Sequence, residues 1–270
     1  MVLYQKKFFK GQKLIDLHNH TILCNHANGS LDEYIKTAIQ KGITIYGFSD
    51  HAPMNYDPKY RMNFEEMDIY EQWIENLKTK YPQIKILKGY EVDFTPEVDK
   101  RVLKRDVDYL IGSIHFLDNW GFDNPEFLAT WKERDIDDIY REYFDLVVKL
   151  AQSKMFDIVG HLDLIKVFNF KPNEDIKILA KDAIEAIADN KLVVEINTAG
   201  IRKAVNEPYP SIPLLEMIKQ KNIDITFGSD AHNPNQVGFY LKECYNTAKF
   251  LGYKQAVYFE NREKKRKSMI

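Results

Sequence analysis

Three histidines fall within nine residues of the stretch LIDLHNHTILCNHANG: His18, His20 and His26. The apolar run Leu14 to Leu17 reads as a buried strand, and on a strand residues two apart project from one face, so His18 and His20 point the same way. Imidazoles are costly to bury without partners, and a metal ion is a natural partner for three of them. Further candidates recur along the chain: His51 in SDHAP, Glu91 in GYEVDF, His115 in GSIHF, His161 in GHLD, and Asp230 with His232 in GSDAH. Imidazole and carboxylate with little thiolate suit zinc, manganese or iron. One ion takes about four to six ligands, so this set points to two or three ions sharing bridging carboxylates. Such a cluster lowers the pKa of a bound water and clamps the oxygens of a phosphoryl group.

The elements that must position these residues alternate along the chain. Short apolar strands are expected at Ile43 to Ser49, Ile84 to Val92, Val107 to His115, Asp157 to Gly160, Leu192 to Asn197 and Asp224 to Gly228. Amphipathic helical patterns lie between them, over Ser30–Gln40, Phe64–Tyr81, Ile136–Lys154, Asp175–Asn190 and Ser211–Lys221. Ser30 followed by Glu33 reads as a capping box. Strand–helix alternation implies a parallel sheet covered on both faces, where chemistry collects at the carboxyl ends of the strands. All seven histidines of the chain stand at or just after such an end. Core or surface histidines placed without a common purpose would not do this. With no linker or repeat visible, the 270 residues read as one domain with a core over about 14–250.

A formal net charge of −2 gives no electrostatic case for nucleic-acid binding. Two cysteines, Cys24 and Cys244, are too few for a disulfide framework and suit a reducing, cytoplasmic setting. Cys24 reads as a small buried residue rather than a ligand. The basic N-terminus MVLYQKKFFKGQK carries no signal-type apolar region, and no apolar run is long enough to cross a membrane. The basic C-terminal ENREKKRKSMI reads as a solvated tail.

In their order, the motifs HxH (His18, His20), His26, SDH (His51), Glu91, GSxH (His115), GH (His161) and SDAH (Asp230, His232) resemble those of the polymerase-and-histidinol-phosphatase (PHP) family, over Leu14 to Phe239. The resemblance implies a distorted seven-stranded, TIM-like (β/α) barrel with a trinuclear site. Carried across, His18, His20, Glu91 and Asp230 hold the first ion. Glu91 bridges to a second held by His115 and His161, and His26, His51 and His232 hold the third. Within the family, SDHAP, GSIHFLDNWGFDNP and EINTAGIRKAVNEPYPS resemble the stand-alone histidinol-phosphate phosphatases of histidine biosynthesis. These imply hydrolysis of L-histidinol phosphate to L-histidinol and inorganic phosphate.

The residues themselves agree on phosphate. Arg202 follows the strand Leu192 to Asn197, where a guanidinium can take phosphate oxygens bidentately. Lys166 and Arg61 are weaker phosphate contacts, and Trp120 and Phe122 form either an apolar wall for the substrate or an anchor for their own loop. Asp16, Asp50, Asp93 and Asp163 serve either as acceptors that orient ligand rings or as turn and cap carboxylates. Tyr209 receives no role. Asp230 and His232 are the first candidates to protonate the leaving alkoxide. The expected partner is a small phosphomonoester, with no nucleic acid or membrane, and the oligomeric state is not legible. Competing readings are a nuclease-type or phosphotyrosine-type PHP phosphoesterase, a non-catalytic metal-stabilised domain, and an amidohydrolase barrel, which would not explain seven histidines.

Overall fold

The computed structural model describes residues 13–95 and 98–269. Its strands are β1 (Leu14–Asp16), β2 (Ile43–His51), β3 (Lys85–Asp93), β4 (Tyr109–Ser113), β5 (Phe116–Leu117), β6 (Trp120–Gly121), β7 (Ile158–Val159), β8 (Val193–Asn197), β9 (Ile225–Gly228), β10 (Gln255–Glu260) and β11 (Glu263–Ser268). The helices are α1 (Leu31–Gln40), α2 (Met67–Lys80), α3 (Lys100–Leu103), α4 (Ile136–Gln152), α5 (Ile176–Leu179), α6 (Lys181–Asp189), α7 (Ile212–Gln220) and α8 (Leu241–Phe250). The N-terminal segment 1–12, read above as basic and without a signal region, lies outside the described residues.

Seven strands form one parallel sheet in the order β1-β2-β3-β4-β7-β8-β9. The last strand returns to the first. The Leu17 amide donates to the Phe227 carbonyl at 2.8 Å, the Asp230 amide to His18 at 2.7 Å and the His20 amide to Ala231 at 3.0 Å. Asp16 reinforces this seam, accepting from the Ser229 amide (2.8 Å) and hydroxyl (2.6 Å), the Asn19 amide group (3.1 Å) and the Gly238 amide (3.1 Å). The result is the nearly closed seven-stranded α/β barrel that the family resemblance implies, built on the parallel sheet expected from the strand pattern.

The helices cover the outside through apolar stripes at helical spacing. Helix α4 buries Ile139, Tyr140, Tyr143, Phe144, Val147, Leu150 and Ala151, and α6 buries Ala183, Ile184, Ala186 and Ile187. Helix α1 starts with the capping box at Ser30 and Glu33. Helix α8 was not expected from the pattern; it seats Tyr245 against Phe227 in a ring stack at 3.9 Å, and the Tyr245 hydroxyl accepts from the Ile15 amide at 2.7 Å. No helix among the described residues is long and apolar enough to cross a membrane.

The C-terminal basic stretch is not a solvated tail. β11 pairs antiparallel with β10, from Gln255 opposite Ser268 to Glu260 opposite Glu263. Its cations answer acids that precede barrel strands: Lys264 (3.1 Å) and Arg266 (2.8 Å) bind Asp224 before β9, and Arg262 in the turn binds Asp157 before β7. The Arg262 and Asn261 amides donate to Asp108 before β4, at 2.9 and 3.2 Å. The hairpin therefore sits at the amino end of the barrel, burying Ala256, Val257, Phe259 and Met269 beneath it.

Phe259→Ala should cost about 3–5 kcal/mol of unfolding free energy, the range for a buried Phe truncated in a packed core. Arg266→Ala, which removes a half-exposed ion pair, should cost under about 1 kcal/mol. Chemical denaturation of both variants measures the difference; equal losses would mean that the charges rather than the buried face hold the hairpin.

Candidate metal centre

At the opposite end, every strand of the barrel delivers a polar side chain to one point. The β2–β3 register sets His51 beside Glu91, and the β3–β4 register carries Asp93 to Ser113, just ahead of His115. Glu91, fully buried, stands in the middle. Its Oε2 lies 3.3 Å from His18 Nε2, 3.0 Å from His51 Nδ1 and 3.7 Å from His20 Nε2. Its Oε1 lies 2.8 Å from His161 Nε2 and 3.6 Å from His115 Nε2. Asp230 Oδ1 lies 3.1 Å from His20 Nε2. The rings crowd together, with His20 stacked on His232 at 4.0 Å and His26 4.5 Å from His232.

Ligand-type atoms within 4.8 Å of one another include the sets His18–His20–Asp230, His18–Glu91–His161, His20–His51–Glu91 and His26–His51–His232. Four ring nitrogens here are buried without a hydrogen-bond partner: His18 Nε2, His51 Nδ1, His161 Nδ1 and His232 Nε2. Buried polar atoms are otherwise almost always satisfied. A donor set of imidazole and carboxylate oxygen with orphaned ring nitrogens fits borderline divalent metals.

Carboxylates behind the rings fix their orientation. His18 Nδ1 is 2.8 Å from Glu195 Oε1, His20 Nδ1 is 3.3 Å from Asp50 Oδ1, and His115 Nδ1 is 2.7 Å from Asp93 Oδ1. Each contact leaves the ring's other nitrogen aimed at the centre. Asp50 also accepts from the Thr21 amide at 3.1 Å and the His51 amide at 2.9 Å, so the ring it orients is that of His20 and not that of its neighbour.

The charges at this end are unbalanced. Burial disfavours the charged form of His20 and His115, but Asp230 and Asp50 push His20 up to about 9, and Asp93 and Glu91 push His115 up to about 10. Glu195 and Glu91 likewise hold His18 well above the usual range against its burial, whereas burial and the neighbouring charged rings depress His51 to about 4 and His232 well below the usual range. Glu91 and Asp230, despite burial, are held well below the carboxylate range by the histidines around them. Carboxylates that stay ionised beside rings that cannot all be protonated create a demand for cations.

This geometry has relatives. The PHP domain profile matches residues 16–199. A protein of Deinococcus radiodurans named "Probable histidinol-phosphatase" is 39% identical over 246 residues, spanning 88% of this chain and 94% of its own. The chain belongs to the PHP domain family. The "Histidinol-phosphatase" of Bacillus subtilis is 32% identical across 85% of this chain and 98% of its own length. A crystal structure of the Lactococcus lactis histidinol phosphate phosphatase, complexed with zinc, L-histidinol and phosphate, superposes with a TM-score of 0.80 at 19% identity, over 94% of this chain and 99% of that one. It shares the fold.

The PHP barrel treats the remaining sequence-selected residues unequally. Arg202 reaches the centre: its Nη2 donates to the Ser229 (3.0 Å) and Asp230 (2.9 Å) carbonyls, while Nη1 is buried without a partner. Arg61 does not face a free anion. It is buried against Asp93 at 2.6 Å and the carbonyls of Ala52 and Asp57, and so steadies the carboxylate that orients His115. Lys166 is likewise occupied, by Asp163 (2.9 Å), the Pro208 carbonyl (2.9 Å) and Glu207 (3.2 Å), and Asp163 holds the Ser211 amide. Both were read as phosphate contacts because sequence alone cannot show that a cation already has an acid. Phe122 is fully buried edge-on to Tyr143 and Trp120 packs against Trp131, so the WGFDNP loop is anchored by both rings; Trp120 Nε1 remains unpartnered. Cys24 Sγ donates to the Thr21 carbonyl at 3.1 Å, although it lies within reach of His20 and His232.

One functional residue escaped the sequence reading. Glu195 is buried in β8, accepts from the His161 amide (2.9 Å) and Asn197 Nδ2 (3.1 Å), and holds His18. Its space depends on Gly228, where an added Cβ would overlap the Glu195 carboxylate and crowd His18 Cβ at 2.5 Å. The available signal was an acid inside the apolar strand VVEIN, since acids are almost never fully buried unless paired.

Glu195→Gln should lower metal affinity about 10- to 100-fold with the thermal melting point of the metal-free protein little changed. Metal content after dialysis against a competing chelator measures it, and wild-type retention would deny Glu195 its orienting role. In the metal-free protein His20 and His115 are protonated at pH 7, so zinc must displace protons and its affinity should climb as pH rises toward 9. Calorimetric titration with zinc in buffers of different ionisation enthalpy reads the released protons; an affinity flat in pH would contradict this charge assignment.

Proposed function

We propose that this protein is a metal-dependent phosphatase that hydrolyses L-histidinol phosphate to L-histidinol and inorganic phosphate, a cytoplasmic step of histidine biosynthesis. The observation that carries the reading is an intact ring of ligand-type residues with one unpartnered guanidinium nitrogen, Arg202 Nη1, buried beside Asp230. The choice of ester is supported by the named relatives of D. radiodurans and B. subtilis, which run nearly the full length of this chain.

His18, His20, Glu91 and Asp230 would hold one ion, Glu91 with His115 and His161 a second, and His26, His51 and His232 a third. Ions of zinc, manganese or iron in these positions would supply an activated water and neutralise charge on a phosphoryl group displaced in line. Around them the protein's own groups do the positioning. Glu195, Asp50 and Asp93 hold three rings in place. Arg202 Nη1 takes a non-bridging phosphoryl oxygen, its other nitrogen locked on two carbonyls so that little order is lost on binding. Asp230 and His232 are deprotonated in the metal-free protein, so either would pass to the leaving alkoxide a proton taken up from the attacking water.

The test is phosphate release by zinc- or manganese-loaded protein from L-histidinol phosphate, beside a phosphotyrosine peptide and a bis-aryl phosphodiester. Strong preference for histidinol phosphate is expected, with Arg202→Ala lowering kcat/KM about 100-fold. Preference for the peptide or the diester would keep the metal centre and reject the substrate.

A further inference from the structure

Tyr209 has no part in the chemistry above, yet its setting is that of a group held for a ligand. The residue is fully buried and its hydroxyl has no hydrogen-bond partner in the protein. Its backbone is clamped to the end of β8, where the Asn197 amide donates to the Tyr209 carbonyl at 2.6 Å and the Tyr209 amide to the Asn197 carbonyl at 2.9 Å. The Asn197 side chain in turn reaches Glu195 Oε2 (3.1 Å) and Asp230 Oδ2 (3.3 Å), so one residue ties the Tyr209 backbone to the metal centre. The ring stands edge-on to His161 at 6.3 Å between centroids, with Lys166 Nζ 5.3 Å from its own centroid. On the remaining side lies Gly200, in the 3-10 turn Ala199–Arg202, where an added Cβ would come within 3.0 Å of the tyrosine ring. The turn that carries Arg202 is thus packed directly on Tyr209.

Two polar donors are therefore buried unsatisfied on adjacent parts of one structure, Arg202 Nη1 and Tyr209 Oη, both within electrostatic reach of Asp230. Leaving a buried donor unmade is costly, and two together mark a place where an acceptor is expected. We propose that the Tyr209 hydroxyl is a phosphoryl-binding donor, hydrogen-bonding a non-bridging oxygen of the bound phosphate group alongside Arg202. Burial, then the charges of Asp163, Asp230 and Asp123, hold the phenol above its usual pKa, so it stays protonated and donates without giving up its proton. This rests on the phosphomonoesterase reading but not on the identity of the alcohol, because the contact is to the phosphoryl group common to all such esters.

Tyr209→Phe keeps the ring and deletes only the hydroxyl. Measured on whichever phosphomonoester the wild-type metal-loaded enzyme turns over, it should lower kcat/KM about ten-fold and raise the inhibition constant of inorganic phosphate by a similar factor. Its melting temperature and metal content should equal or exceed those of wild type, since an unpartnered buried hydroxyl contributes nothing to the fold. If the hydroxyl is instead bridged by water to Asp163 Oδ1, which is also unpartnered, the variant loses melting temperature and keeps wild-type phosphate inhibition, and the proposal fails. Should wild type hydrolyse no phosphomonoester, the function reading fails on its own. Calorimetric binding of inorganic phosphate to zinc-loaded wild type and Tyr209→Phe then decides the role of the hydroxyl; equal affinities overturn it.

Discussion

A carboxylate buried away from bulk solvent is among the more expensive things a protein can contain, and Glu91 is such a group. What makes it tolerable is the crowd of imidazoles from β1, β2, β4 and β7 around it. Those rings are themselves buried, and they cannot all carry a proton when their centroids lie 4 to 6 Å apart. Neither the acid nor the rings can satisfy the other completely. The arrangement is self-consistent only with positive charge between them, and the remainder of this end of the barrel serves to hold that tension in one geometry. Glu195, Asp50 and Asp93 lock rings from behind, Arg61 locks Asp93, and Asp16 locks the seam on which His18 and Asp230 sit.

The parts of this design that were legible in sequence are those with a local signature. Runs such as ITIYGFS and GYEVDF read as strands because a parallel sheet covered on both faces needs continuous apolar stretches. The candidate ligands stand out because each lies where such a run stops. The resemblance to the PHP family added a grouping of candidate ligands, and the structure gathers His18, His20 and Asp230, and separately His26, His51 and His232, within 4.8 Å of one another.

The illegible parts all depend on partners distant in the chain. Glu195 looks like the one polar position of a half-buried strand until His18, 177 residues away, is placed on it. Arg61 and Lys166 look like free cations until Asp93 and Asp163 take them up. Tyr209 looks like loop aromatic until its backbone is seen to pair with Asn197. The strand EKKRKS carries no apolar alternation at all, and its place is decided by Asp224 before β9, with Asp157 before β7 holding Arg262 in the turn that leads into it. Charge that looks like solvent exposure is here a set of pairings closed by the fold.

That C-terminal hairpin also divides the molecule by end. Acids preceding β7 and β9 meet cations of the hairpin at the amino mouth, and Asp108 before β4 meets its turn amides, while acids at the strand exits meet histidines at the other. An affinity handle, fluorophore or surface linkage joined beyond Ser268 therefore leaves from the face opposite the histidines. The protein can be tethered to a support with its reactive mouth turned toward solution.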